Sequence, residues 1–119
     1  MIEKKATIDG RTYTFRSSAL IPRLYRAKFG RDMIQDMRKL AEAYKEAQGD
    51  PEKVMSMTNL EVFENIAWLM LKYAGEPVLE TPEQWLESLD TVFSVYEVFP
   101  VILELWHREN QTTSKPRKK

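Results

Sequence analysis

The stretch N-L-E-V-F-E-N-I-A-W-L-M-L-K-Y-A, residues 59–74, decides what kind of fold this chain can adopt. Thr58-Asn59-Leu60-Glu61 at its start is a capping-box pattern: the threonine oxygen can accept from the Glu61 amide while that carboxylate reaches back to the threonine amide. Gly75 and Pro77 terminate the segment. Between these ends Leu60, Val62, Phe63, Ile66, Ala67, Trp68, Leu69, Met70, Leu71, Tyr73 and Ala74 occupy nearly every face of a helix. A helix that is apolar all round is buried on more than one side. The rest of the chain must therefore be arranged around it.

Upstream, Lys5–Ile8 and Arg11–Phe15 flank Asp9-Gly10, and Thr7, Tyr13 and Phe15 suit a pleated strand. Asp-Gly between such runs predicts a two-residue hairpin turn, because the turn needs the positive φ that glycine supplies without strain. Residues 4–16 thus read as a β-hairpin, which is only marginally stable alone and must lie on the helices that follow. Ser17 or Ser18 is the expected cap of a helix through Ile21, Leu24, Tyr25 and Phe29, with Pro22 in its first turn and Gly30 at its end. Asp32 caps a second helix whose Met33, Ile34, Met37, Leu40, Ala41 and Tyr44 recur at i, i+3, i+4 and i+7. Gly49-Asp50-Pro51 stops it, and residues 51–57 are expected to hold one loose turn.

Downstream, Thr81-Pro82-Glu83-Gln84 starts a short helix carrying Trp85, Leu86 and Leu89. A last helix is expected from Ser94, with Glu97 completing a third capping-box pattern, to about Arg108. Pro100 inside it should bend the axis. From Asn110 the chain reads N-Q-T-T-S-K-P-R-K-K, apolar-poor and basic, which predicts a disordered tail. The expected fold is mainly α: an N-terminal β-hairpin followed by a compact bundle of four to five helices. It forms one domain over residues 1–109, with a flexible tail at 110–119.

The chain has 119 residues, 43% hydrophobic and 30% charged, enough apolar surface to exclude a wholly disordered polymer and too little length for a second core. It has no cysteine, which excludes disulfide frameworks, thiolate metal sites and cysteine nucleophiles. The opening M-I-E-K-K-A-T-I-D-G carries no apolar stretch behind a basic start. No run approaches the ~18 apolar residues of a spanning helix. No membrane association is expected.

The net charge of zero conceals a segregation. Residues 1–39 hold ten Lys or Arg against four Asp or Glu, residues 40–114 hold four against fourteen, and the last five residues add four more bases. Such asymmetry can steer a charged partner, or it can be satisfied within the fold or between copies of the chain. Zero net charge argues against a dedicated nucleic-acid binder.

No catalytic constellation emerges. His107 is the only histidine, sits near a helix end, and has no glycine-rich nucleophile elbow to serve. Glu104 and His107 form one E-x-x-H pair, whereas a di-iron bundle needs two. Carboxylates at helical spacing such as Glu83 and Glu87 read as a solvated face, and the four isolated glycines make no phosphate-binding loop. Neither a cofactor nor a metal is expected, and the chain reads as a non-enzyme.

The most functional-looking stretch on physical grounds is R-S-S-A-L-I-P-R-L-Y-R-A-K-F-G-R, residues 16–31. It interleaves Arg23, Arg26, Lys28 and Arg31 with Leu24, Tyr25 and Phe29. Basic and aromatic residues together can contact phosphates and stack on bases. The plainer reading is that the apolar members are core and the basic members rim charges pairing with the acidic second half; a protein-binding surface is the third alternative. The three tryptophans and two strongly apolar helices leave a parallel choice open, between one compact core and a self-association or client-binding face.

Three ordered blocks carry a likeness to a known family: I-P-R-L-Y-R-A-K-F-G-R-D at residues 21–32, F-E-N-I-A at 63–67, and the close from Tyr96 to Thr113. Together they resemble the tail assembly chaperones of long-tailed, siphovirus-type phages and prophages of Gram-positive bacteria, over roughly residues 11–119. The resemblance implies a non-catalytic role in the host cytoplasm during virion morphogenesis, outside the mature virion. A small helical protein would coat the tape-measure protein and keep it soluble. A longer version, made by programmed frameshift, would recruit the tail-tube protein. This chain resembles the short version. On that reading the client lies against apolar residues of the helices at 59–74 and 94–108, among them Phe63, Trp68, Leu71, Phe99, Leu103 and Trp106. Arg23, Arg26, Lys28 and Arg31 form a rim, and charge reversal at Arg23, Arg26 and Arg31 is expected to leave folding intact. The alternative is a small helical nucleic-acid-binding or regulatory protein of prophage origin that uses residues 16–31.

Overall fold

Asp9 and Gly10 stand at φ 54° and 78°, two consecutive left-handed residues, as a type I′ turn requires. They join strand β1 (Ile2–Ile8) to strand β2 (Arg11–Ser17) in an antiparallel pair with Ile8 opposite Arg11 and Ile2 opposite Ser17. The expected hairpin is present and runs one or two residues further at each end. The structure is a computed structural model that describes residues 1–57, 59–91 and 93–110.

Helices α1 (Ile21–Phe29) and α2 (Met33–Glu46) follow. Pro22 lies in the first turn of α1, and Gly30 closes it at φ 70° with its amide on the Arg26 carbonyl. Neither serine caps α1. Ser17 is the last residue of β2 and buried, so Leu20 stands at the N-cap without a side-chain bond, while the Ser18 hydroxyl accepts from the Leu20 amide at 3.2 Å. Asp32 caps α2 as expected, accepting from the amides of Ile34 and Gln35.

Residues 51–57 are a correction. They form α3 (Pro51–Met57), a two-turn helix and not a loose turn. Asp50 accepts from the Glu52 amide at 3.1 Å and Pro51 is pre-set for a first helical position, so the stop signal of α2 is also the start signal of α3. Helix α4 (Leu60–Tyr73) is capped by Asn59, whose Oδ1 accepts from the Val62 amide. The expected Thr58 cap lies outside the described residues. Thr81 caps α5 (Pro82–Glu87) through the Gln84 amide, and Gln84 Oε1 accepts from the Glu80 amide.

The last segment is also corrected. A 3-10 turn (Val95–Val98) leads into α6 (Phe99–Asn110), and Pro100 is the second residue of that helix. A proline there removes no intrahelical bond, so the kink expected from it has no cause. Ser94 makes no cap bond. Its hydroxyl instead donates to Asp9 Oδ1 at 2.6 Å, and Asp9 Oδ2 accepts from the Asp90 amide, which clamps the hairpin turn to the approach to α6. The tail expected from Asn110 lies, apart from Asn110, outside the described residues.

The expected architecture holds: a mainly α fold led by a hairpin, with six α-helices among the described residues, the extra one being α3. Helix α4 is its axle. Val62, Phe63 and Asn65–Leu71 are all buried, with β2, α1 and α5 arranged around them and Phe99 of α6 stacked on Phe63. The inward side chains of the hairpin, Ile8, Tyr13 and Phe15, complete the core. Each fully buried side chain of this size contributes about 1.5–3 kcal/mol by removal from water. The compact core thus accounts for the all-round apolarity of α4.

Candidate functional site

Helices α2 and α6 do not close over one another along their outer edges. Between them runs an open trough of about 930 Å³. Ile34, Arg38, Ala41, Glu42, Tyr44 and Lys45 line it from α2, and Pro100, Leu103, Glu104, Trp106 and His107 from α6. Ile34 is 52% exposed, unusually open for a large aliphatic side chain, while Leu103 and Trp106 are nearly covered and turn one side to the trough. The end of α2 meets the start of α6: Tyr44 and Pro100 line the same small cavity of about 80 Å³.

Tyr44 and Trp106 are the aromatic members of the lining, and Tyr44 is backed by a buried column. Tyr44 stacks on Phe99 (centroids 5.4 Å), Phe99 on Phe63 (4.4 Å), and Phe63 on Tyr96 (5.4 Å), a column that joins α2, α6 and α4. Such stacks add about 0.5–1.5 kcal/mol each beyond burial. The Tyr96 hydroxyl donates to Glu64 at 2.6 Å. Burial raises the Glu64 carboxyl above its ordinary range, against the opposing pull of that hydrogen bond.

The residues singled out in the sequence divide sharply. Leu103 and Trp106 meet in the trough. Phe63, Leu71 and Phe99 are enclosed in the core and present no surface to a partner in this conformation. Trp68 is also buried: its indole nitrogen donates to the Val78 carbonyl, and the Lys28 and Lys72 ammoniums lie 5.3 and 5.7 Å from its ring. Arg23 and Arg26 are exposed, and Arg26 approaches Asp32 at 3.8 Å.

Arg31 has a different task from the rim role expected of it. Its Nε and Nη2 donate to the two oxygens of Asp36 at 2.8 and 2.9 Å, and the buried Tyr25 hydroxyl donates to the same carboxylate at 2.8 Å. Asp36 is only 5% exposed, and the Arg31 guanidinium holds its carboxyl below the usual carboxylate range. Burial and the Asp36 bond push the Tyr25 hydroxyl far up. This triad locks α1 to α2. Tyr25 and Phe29 face inward, Phe29 packing on Tyr25 and Trp68, so the aromatic half of a base-stacking surface is not on the outside.

Ile34, Ala41 and Tyr44 were not among the sequence candidates, although a signal for them existed. The apolar positions of α2 make two stripes: Met33, Met37 and Leu40 face the core, while Ile34 and Ala41 stand to one side. A stripe wider than one neighbour can cover leaves an apolar edge over.

Charge segregation survives folding. Of the four ion pairs among the described residues, Arg16–Glu3, Arg26–Asp32 and Arg31–Asp36 stay within the basic third, and only Lys4–Glu104, at 3.0 Å, bridges to the acidic part. The same bond engages the carboxylate of the Glu104/His107 pair. Among the described residues no cluster of three or more metal-ligating side chains is present, and no helix is long and apolar enough to cross a membrane.

Fold and trough together define a small helical domain with a preformed apolar groove and opposed charge at its borders. Comparison of the chain with family models, with curated proteins and with solved structures finds no match.

Proposed function

We propose that this chain is a non-catalytic tail assembly chaperone of the long-tailed phage type, in its short form, which binds the tape-measure protein and keeps it soluble while the tail tube is built. The observation that supports the reading is the trough between α2 and α6, with an exposed isoleucine at one rim and Tyr44, stacked on the buried Phe99, in its lining. A groove of this kind suits an amphipathic helix, the form in which a long helical client offers its apolar face. The client site moves accordingly: α4 serves as the core, and the contact surface is α2 with α6. Several copies would coat one client in the host cytoplasm, and tube protein would be reached through the longer, frameshifted version. Any self-association belongs to that coat.

Co-expression with the cognate tape-measure protein tests this. Recovery of a soluble complex with several copies per client supports the reading. An insoluble client beside a folded, soluble chaperone contradicts it.

A further inference from the structure

The borders of the trough carry opposite charge at its two ends. On the far side of Ile34 lies a second recess, bounded by Arg23, Arg26 and Asp32. With Arg38 one turn along α2, this end holds three guanidiniums against one carboxylate. At the other end Glu42, Lys45 and Glu46 border a recess that opens beside the trough, and Glu97 stands at the small cavity under Tyr44 and Pro100. That end holds three carboxylates against one ammonium. From Ile34 to Lys45 the line advances eleven steps along α2, roughly 16 Å at about 1.5 Å per step, or three turns. Glu104, on α6, has its carboxylate held by Lys4.

Resting on the client-binding reading above, we infer that the trough is directional: its occupant is an amphipathic client helix with an acidic N-terminal half and a basic C-terminal half, lying parallel to α2. The apolar floor and the exposed Ile34 take the ridge of the helix. Its acids meet Arg23, Arg26 and Arg38, and its bases meet Glu42, Glu46 and Glu97. The same charge order suits the occupant's own dipole, which favours acids in the first turn and bases in the last. Reversing the helix would set like charges against each other at both ends, so the trough selects direction as well as apolarity. In that direction the α2 helix of a second copy is a poor occupant, because its exposed charges begin with bases at Arg38 and Lys39; its charges would fit only with the helix reversed, which the direction of the bound helix distinguishes.

The test uses two labelled 18-residue peptides with the same leucine ridge, one with glutamates in the first two turns and lysines in the last two, the other with that order swapped. Binding is followed by anisotropy at low salt, where exposed charges are least screened. The wild-type chain should bind the acid-first peptide about tenfold more tightly, and the preference should disappear in an Arg23→Glu/Arg26→Glu/Arg38→Glu variant. Taking the ratio between proteins cancels any difference in peptide helicity. If the triple variant melts early, Arg38→Gln alone should reduce the preference without abolishing binding.

Equal preference in wild type and variant overturns the directionality and leaves the chaperone reading intact. Failure of both peptides to bind, with the client still soluble on co-expression, overturns the trough as the site. A peptide that displaces a second copy from a dimer overturns the choice of occupant. Directional binding beside an insoluble client supports the trough and removes the chaperone reading instead.

Discussion

The Tyr44 ring lies on the Phe99 ring, centroids 5.4 Å apart and 10° from parallel, and ties α2 to α6 beneath the open trough. Phe99 continues the column to Phe63 in α4, so Tyr44, which lines the groove, is anchored in the core. A client seated there would meet a surface whose shape is set before binding, which lowers the ordering cost of association.

Removing the upper ring should loosen the floor. Tyr44→Ala should cost about 2 kcal/mol through the lost stack and the space left under it. That corresponds to a fall in Tm of roughly 6–12 °C for a domain of this size. Tyr44→Phe keeps the ring and should melt close to wild type. Thermal unfolding followed by circular dichroism checks both, and equal melting of Tyr44→Ala and wild type would dismiss the column as a structural support.

Arginines of the basic stretch should separate by role. Arg23→Glu and Arg26→Glu alter exposed side chains and should change stability by less than about 1 kcal/mol. Arg31→Glu places a second carboxylate beside buried Asp36 and should cost about 3 kcal/mol. Denaturant titration compares them. The expectation that reversal at all three positions leaves folding intact overlooks this, because spacing along a helix does not reveal that Arg31 reaches forward to the buried Asp36 of α2.

Two carboxylates should give opposite pH signatures. Asp36 has its folded-state value held below the ordinary one near 3.8, so its contribution is present above that value and is lost as the pH falls through the folded one. Glu64 has its value raised above 4.5, so burying it charged disfavours folding increasingly as the pH climbs through that raised value. Glu64→Gln retains an acceptor for the Tyr96 hydroxyl and carries no charge. It should melt higher than wild type at pH 7, with the gap shrinking toward pH 4. A gap that grows on acidification would reverse the assignment.

Much of the architecture was legible because its signals are local. Asp9-Gly10 fixes the turn by backbone conformation, Gly30 ends α1, and Asp32 and Thr81 cap the helices that follow them. Ser94 misled because its hydroxyl goes to Asp9 at the other end of the chain, and a long-range partner outcompetes the local cap. The candidate site was half legible. Apolarity marks Phe63, Phe99, Leu103 and Trp106 alike, but only packing decides which face a neighbour and which face a gap. Ile34 was hidden in the stripe of α2 for the same reason.

The most direct measurement is site-specific photo-crosslinking in cells that co-express the chain with the proposed client, a tape-measure protein. One photoreactive residue is placed at Ile34, in the trough, and another at exposed Glu83, outside it. The account requires crosslinks to the client from position 34 and none from position 83. Crosslinks from position 83 alone, in a soluble complex, would contradict the trough as the place where the client is held.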